Sequence, residues 1–435
     1  MKRILLSLGL IATFLFSFAC QPTTGGDKVR IGVFMSLTGS TANFGISSVN
    51  GIKMAADEVN KAGGINGKQI ELLVEDDRSD ASEAATIVTK FVTQDQVHAV
   101  LGEVASSRSI AAAPIAQNAK IPMLTPSSTN PEVTRKGDFI FRSCFIDPVQ
   151  GAAIGQFAAK GLNAKRAAIM VDRKNDYSTG LATNITETFT KLGGQIVATT
   201  SYQEGDQDFN AQLTSIKGAN PEVIFVPGYY NDVGLIAKQA RDRGITVPLL
   251  GGDGWDSAQL YAIGGTALNG SFFSNHYSPF DTDPKVQKFV NDYKALYTTP
   301  DALAATAYDA AHIMFDAIKR ANSTDGTAIR NALAATNAFP GVTGTVTFNE
   351  NRDAVKPIIM IEIKDGGAYA VRERVEVEGA AAPTTATASP ATSASPATAV
   401  SPAAVSSPAT TASPAATRSP ATTASPAKPA ATATP

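Results

Sequence analysis

From Val29 onward the chain alternates short β-branched runs with helical stretches, and this alternation restricts the fold more than any other feature of the sequence. VRIGVFMSL, QIELLVEDD, HAVLGEV and IPMLT read as strands, separated by helices predicted near Ile46 to Asn60, near Ala81 to Thr93 and from Ser107. Strand and helix in turn build right-handed βαβ units, and so a mostly parallel sheet with helices on both faces. The pattern then restarts. RAAIMVDR, QIVATTSY, EVIFVPGYY and VPLLGGD are predicted strands, with helices near Ser178 to Leu192, Phe209 to Gly218 and Asp232 to Arg243. Helices near Pro284 to Leu296 and Leu303 to Arg320 follow, and the strands TGTVTFNE, KPIIMIEI and AYAVRERVEV close the folded part. The expected class is α/β, with two doubly wound parallel-sheet lobes and a chain that returns to the first lobe before finishing on the second. Residues 27–147 and 278–354 are assigned to lobe one, and 148–277 and 355–379 to lobe two. Repeated crossings make a hinge, and two lobes facing each other through the carboxyl ends of their strands would enclose a small molecule.

The two ends are different material. Lys2 and Arg3 followed by the apolar run Ile4 to Ala19 read as a secretory leader, residues 1–19. Ala19-Cys20 resembles a bacterial lipoprotein box, although Ser17 and Phe18 depart from its usual residues, and Cys20 is the expected lipidation site, with 20–26 a linker. A soluble secreted protein with a stray cysteine is the alternative. From Ala380 to Pro435 the chain is almost entirely Ala, Pro, Ser and Thr, with Ser-Pro recurring every six residues from Ser389 to Ser425. Such a segment cannot bury enough apolar surface to fold, so it is expected to be a disordered spacer or stalk; its glycosylation is left open.

These ends hide the charge of the middle. Lys plus Arg is 37 against 39 for Asp plus Glu. Setting aside Lys2, Arg3, Arg418 and Lys428 leaves 33 basic residues against the same 39 acids, a net of −6. That offers no basic field for a nucleic-acid backbone, and no nucleic-acid partner is expected. Two cysteines and three scattered histidines make neither a disulfide framework nor a metal site, so no metal or cofactor is expected.

Motifs for catalysis fail on inspection. Gly63 to Lys68 has Ala62 where a phosphate loop needs glycine and Gln69 where it needs Ser or Thr, and it precedes a strand. Gly63 and Gly64 are instead expected to end a helix in left-handed conformations, with Asn66-Gly67 making the next turn. Asp206 to Asn210 starts like a calcium loop, but Ala211 replaces its glycine. No enzyme is expected. What remains are polar and aromatic groups at predicted strand ends. Ser106 opens a helix and offers a carboxylate cradle, or simply caps its own helix. Ser127 and Thr129 supply donors and acceptors, or form an ordinary turn. Asp253 is placed to pair with an ammonium group, or is a solvated turn acid. Tyr177 and Tyr229 could close over a ligand, or be core. Together the five strand ends describe a trap for a zwitterion.

IGVFMSLTGSTANFG, AADEVNKAGGINGKQIEL, VEDDRSD, LGEVASS, IPMLTPSSTNPEVT, NDYSTGL, PGYYNDVGLIAKQARDRG and LLGGDGWDS, in this order, resemble bacterial periplasmic binding proteins of the branched-chain amino-acid type, the receptors of ABC importers. The resemblance spans about Val29 to Val377. It implies a type I periplasmic binding fold without enzymatic activity, and a monomer that hands an aliphatic amino acid to a membrane permease. It places the ligand carboxylate on Ser106, Thr129 and the Ser127 backbone, and the ammonium on Thr129, the Ser127 carbonyl and Asp253. Phe44, with neighbours such as Trp255, would set side-chain size. Asp253 stands where the leucine-type receptors have glutamate, and Ser79 and Ala105 stand where they have a lobe-one disulfide. Cys144 is expected to be a buried apolar thiol. The same fold binding another amino acid, an amide or a carboxylate, or serving as a surface sensor, is the alternative.

Overall fold

The computed structural model describes residues 28–375. The leader, Cys20, the linker and the Ser-Pro tail lie outside the described residues. Among the described residues no helix is long and apolar enough to cross a membrane.

Two mostly parallel sheets are present, as expected. The first contains β1 (Val29–Met35), β2 (Ile70–Asp76), β3 (Ala99–Leu101), β4 (Met123–Thr125) and β5 (Ile140–Arg142), in the order β2-β1-β3-β4-β5. All of its pairings are parallel. Six of the seven β1 residues are buried, because helices cover both faces of the sheet and a strand between them has no solvent side. Helices α1 (Ala42–Lys61), α2 (Ala81–Lys90), α3 (Ser106–Ala119) and α4 (Glu132–Arg135) make the connections. Along α1, Phe44, Ser48, Ile52, Ala55 and Ala56 recur at helical spacing and form its buried face. After it, Gly63 (φ 103°), Gly64 (φ 80°), Asn66 (φ 50°) and Gly67 (φ 82°) turn the chain into β2, so this glycine-rich stretch serves the turn, as read.

After β5 the chain crosses into the second sheet, built from β6 (Arg166–Asp172), β7 (Gln195–Tyr202), β8 (Val223–Phe225), β9 (Leu249–Gly251) and β10 (Phe272–Asn275). Helices α5 (Asp147–Gln156), α6 (Asp176–Lys191), α7 (Asn210–Ala219), α8 (Tyr230–Asp242) and α9 (Ala258–Gly264) accompany these strands. A second crossing follows β10. Helices α10 (Pro284–Leu296), α11 (Ala302–Ala321) and α12 (Gly326–Ala334) come next. Helix α11 lies against α1, where the Tyr308 hydroxyl donates to Glu58 at 2.7 Å.

The strand expected over TGTVTFNE shrinks to β12 (Gly344–Val346), paired only with β11 (Phe339–Gly341) in a separate ribbon. A third crossing then delivers β13 (Ile358–Ile363) and β14 (Tyr369–Val375), giving the order β14-β13-β10-β9-β8-β6-β7. Here the sheet departs from purely parallel pairing. Strand β13 runs antiparallel to both neighbours, and the short turn that joins it to β14 is possible only between antiparallel strands.

Candidate ligand-binding cleft

The loops that leave β1, β3 and β4 in one sheet face those that leave β6, β8 and β9 in the other, all at the carboxyl ends of parallel strands. Between them Phe44, Val104, Ser127, Tyr177, Tyr229, Asp253, Gly254 and Leu303 line a pocket of about 220 Å³ of empty space. Five of the seven predicted ligand residues are therefore in its wall: Phe44, Ser127, Tyr177, Tyr229 and Asp253. Ser106 and Thr129 are buried next to these positions in the chain but do not line it. Trp255, expected as a neighbour of the ligand, is not in the wall either. Its indole packs under Gly251 and donates to the Val226 carbonyl at 3.0 Å, so it belongs to the core of the second sheet.

The first sheet contributes hydroxyls. The Ser106 hydroxyl does not cap α3, whose N-cap is Ala105; it accepts from the Asn130 amide at 3.2 Å and so ties the β3 loop to the β4 loop. The Ser127 hydroxyl shares a 2.8 Å hydrogen bond with Thr306 of α11, which occupies its side chain. Thr129 Oγ1 is buried with no partner at full hydrogen-bond geometry, but it lies close enough to the Asp147 carboxyl to hold that group's pKa down against burial.

The second sheet contributes the aromatic wall and the acid. Asn175 caps α6 by accepting from the amides of Tyr177 and Ser178, which fixes the Tyr177 ring at the helix start. Tyr177 and Tyr229 stack with centroids 5.3 Å apart and planes 7° from parallel. The Tyr177 hydroxyl accepts from the Gly254 amide at 3.2 Å. Burial raises both phenols well above their ordinary values, so both stay protonated. A Cβ at Gly252 would lie 2.0 Å from Gln150 Oε1 and 2.3 Å from the Tyr177 hydroxyl, so only glycine lets the turn before Asp253 sit this close.

Asp253 is 4% exposed, and each of its oxygens already has a partner. Gln150 Nε2 donates to Oδ1 at 2.9 Å, and the Asp253 amide donates back to Gln150 Oε1 at 3.2 Å. His276 Nε2 is 3.0 Å from Oδ2. Burial, against the pull of Asp253, holds the imidazole pKa below its ordinary value. Neither Gln150 nor His276 was picked out from the sequence. Gln150 lies on α5 and His276 directly follows β10, two elements absent from the predicted pattern. Reading SFFSN as a strand would have placed a histidine at one more carboxyl end. Nearby, Asp147 is fully buried with no partner at full hydrogen-bond geometry, and burial pushes its carboxyl up to about 8 against the pull of the Thr129 hydroxyl.

The two walls touch across the cleft. The Asp176 amide donates to the Ser107 hydroxyl at 3.0 Å, and Asn130 Nδ2 donates to the Asp176 carbonyl at 2.7 Å. Asn43 Nδ2 donates to the Tyr230 hydroxyl at 3.3 Å, and Ser40 bonds Glu204. Where relatives were expected to carry a disulfide, Ser79 and Ala105 instead join a buried ionic cluster. Arg108 lies 3.1 Å from Glu103 and 3.9 Å from Asp77, and it donates to the Ser79 carbonyl at 3.2 Å and to Thr41 at 2.6 Å. Cys144 is buried, as expected, and burial pushes its thiol up to about 12. Among the described residues no group of three or more His, Cys, Asp or Glu could hold a metal ion.

In sequence and fold the chain is similar to known binding proteins. A leucine-binding protein LivK of Thermotoga maritima is 41% identical, with a TM-score of 0.77 over 80% of this chain and 99% of that one. The branched-chain amino-acid substrate-binding protein LivJ of Streptococcus pneumoniae, solved with isoleucine, is 35% identical, with a TM-score of 0.76 over 81% of this chain and 99% of that one. The leucine-, isoleucine-, valine-, threonine- and alanine-binding protein of Pseudomonas aeruginosa is 32% identical over 75% of this chain and 87% of its own length. The periplasmic binding protein family model matches residues 28–368, and the chain belongs to that family.

Proposed function

We propose that this protein is the extracytoplasmic solute receptor of an ABC importer, which closes over an aliphatic α-amino acid of the branched-chain type and delivers it to the membrane permease. The observation that carries the reading is the buried Asp253 carboxylate in a small pocket whose other walls are Phe44, Val104, Leu303, two tyrosines, Ser127 and Gly254. A buried carboxylate suits an ammonium group, and an apolar wall suits an aliphatic side chain. Thr129, Ser106 and the Ser127 backbone would take the ligand carboxylate. Residues 27–147 with 278–354 and residues 148–277 with 355–379 would move as the two lobes.

Export by the leader and lipidation of Cys20 would hold a monomeric receptor near its permease. Mass spectrometry of the mature N-terminus should find a diacylglyceryl adduct on Cys20, and an unmodified mature N-terminus would reject the anchor. For the ligand, a thermal-shift screen over amino acids, small amides and carboxylates is the direct test. Leucine, isoleucine and valine should give the largest rise in Tm, since ligand at a hundred times Kd adds about 2.7 kcal/mol. A rise with carboxylates or amides but not with α-amino acids would overturn the reading.

A further inference from the structure

The Asp253 carboxylate is held by donors that come from two separate crossings between the sheets. Gln150 stands on α5, directly after the first crossing, and grips Asp253 twice, through Oδ1 and through the amide. His276 begins the second crossing and meets the other oxygen at 3.0 Å. The imidazole is itself fixed. It stacks on Phe145 of the first crossing, with centroids 3.9 Å apart and planes 22° from parallel. From the third crossing, Lys356 is buried and donates toward the Ser143 carbonyl at 3.4 Å, and its charge disfavours a second positive charge on the imidazole. Nδ1 is buried with no hydrogen-bond partner, so no acceptor holds a proton there, and the carboxylate at Nε2 favours the tautomer that donates through Nε2.

We propose that His276, with Gln150, is a positioning pair that aims the Asp253 carboxylate at the ligand's ammonium and so selects ligands that carry one. This rests on the amino-acid reading above. The physical reason lies in lone pairs and reach. A carboxylate accepts about four hydrogen bonds, and one donor on each oxygen fixes its plane while leaving an acceptor direction on each for the ligand. Without the pair, a buried carboxylate with two rotatable bonds would turn toward the nearest donor, away from the pocket. The side chain is also short, so its placement depends on what holds it from behind. The pair touches no part of the pocket that would contact an aliphatic side chain, since neither residue lines it.

The test uses the full-length protein and two ligands that share side chain and carboxylate, L-leucine and 4-methyl-2-oxopentanoate, the second with a planar ketone in place of the ammonium-bearing Cα, with Kd from calorimetry. His276→Ala should weaken leucine at least tenfold and leave the oxo acid within threefold. His276→Gln, which restores an N–H donor, should bring leucine back to within threefold of wild type. Gln150→Met removes the other grip and should show the same selective loss, which keeps the test open if the alanine variant folds poorly. Equal weakening of both ligands, unchanged leucine binding in both His276→Ala and Gln150→Met, or no recovery in His276→Gln would overturn the proposal while leaving the amino-acid reading intact. A wild-type protein that binds the oxo acid as well as leucine would instead overturn the amino-acid reading, and the positioning pair with it.

Discussion

Phe44 meets Tyr229 edge to face, with ring centroids 5.5 Å apart and planes at 87°. The first sits on α1 beside the first sheet, and the second ends the loop after β8 in the other sheet. Phe44 also contacts Tyr230 at 4.9 Å, so one ring from one side is held by two from the other. Aromatic pairs of this geometry contribute roughly 0.5 to 1.5 kcal/mol each beyond the area they bury. They form only when the two sides are together.

Phe44→Ala should therefore act on release more than on capture. The expected change is an increase of about tenfold in the ligand dissociation rate, with a smaller change in association, read by stopped-flow fluorescence. Phe44→Tyr should stay within about threefold of wild type. Unchanged dissociation in the alanine variant would show that this contact does not hold the cleft shut.

Asp147 predicts a specific pH dependence of stability. Its ordinary value is 3.8, and burial, helped by Asp253 and opposed by the Thr129 hydroxyl and Arg142, raises it to about 8 in the folded state. Between those values the unfolded chain has lost the proton and the folded chain keeps it, so this group lowers stability as pH rises from about 4 to about 8 and adds nothing further above that. The slope of a single such group is at most about 1.4 kcal/mol per pH unit. Asp147→Asn removes it. Urea unfolding at pH 4.5, 6 and 7.5 should show the variant gaining on wild type at each step; parallel curves would refute the buried-acid assignment.

The ionic cluster of the first lobe should fail badly when it loses its one cation. Arg108 is 4% exposed and faces Glu103 and Asp77, both fully buried. Burial and the Glu103 charge already push Asp77 up to about 7. Arg108→Met strands two buried acids, and the expected loss is about 3 to 5 kcal/mol in chemical denaturation. Adding Asp77→Asn and Glu103→Gln to it should recover a large part of that loss. If the single variant costs under about 1 kcal/mol, the cluster does not stabilise the lobe.

Cys144 should be silent in the native protein. Its thiol is buried, and burial raises it to about 12, so almost no thiolate exists at neutral pH. Titration with an aromatic disulfide reagent should find no reaction at Cys144 until denaturant is added. With only Cys20 besides, native protein that carries a lipid on Cys20 would titrate as thiol-free, whereas an unmodified mature Cys20 would give one reactive thiol.

Much of this architecture was written in local signals. Helix α10 matches its prediction at both ends, because Pro284 sits at the first helical position and Asp283 caps it by accepting from the Lys285 amide at 2.7 Å. Helix α1 starts four residues earlier than predicted, since Ala42, Asn43 and Gly45 carry little apolar periodicity, and the partners of Asn43 and Phe44 lie on the far side of the cleft. Strand β10 escaped notice because it is four residues long and is defined by its neighbours β9 and β13. The site divides the same way. Asp253, Ser127 and the tyrosines could be placed because each follows a legible strand, whereas Gln150 and His276 meet Asp253 at sequence separations of 103 and 23 residues, and nothing local announces such pairs. Trp255 was misplaced for a related reason: proximity to Asp253 in the chain does not say which way a ring points.

The three crossings also decide what can be cut out of this chain. A gene for residues 148–277 alone would encode β6 to β10 but not β13 or β14, so the sheet would end on β10. The side of Phe272 to Asn275 that pairs with β13 would then be an open edge, with four buried residues turned to water and unpaired amides free to recruit another copy. The closed edge of the second sheet is therefore a property of the whole chain, supplied by strands that lie more than eighty residues beyond β10.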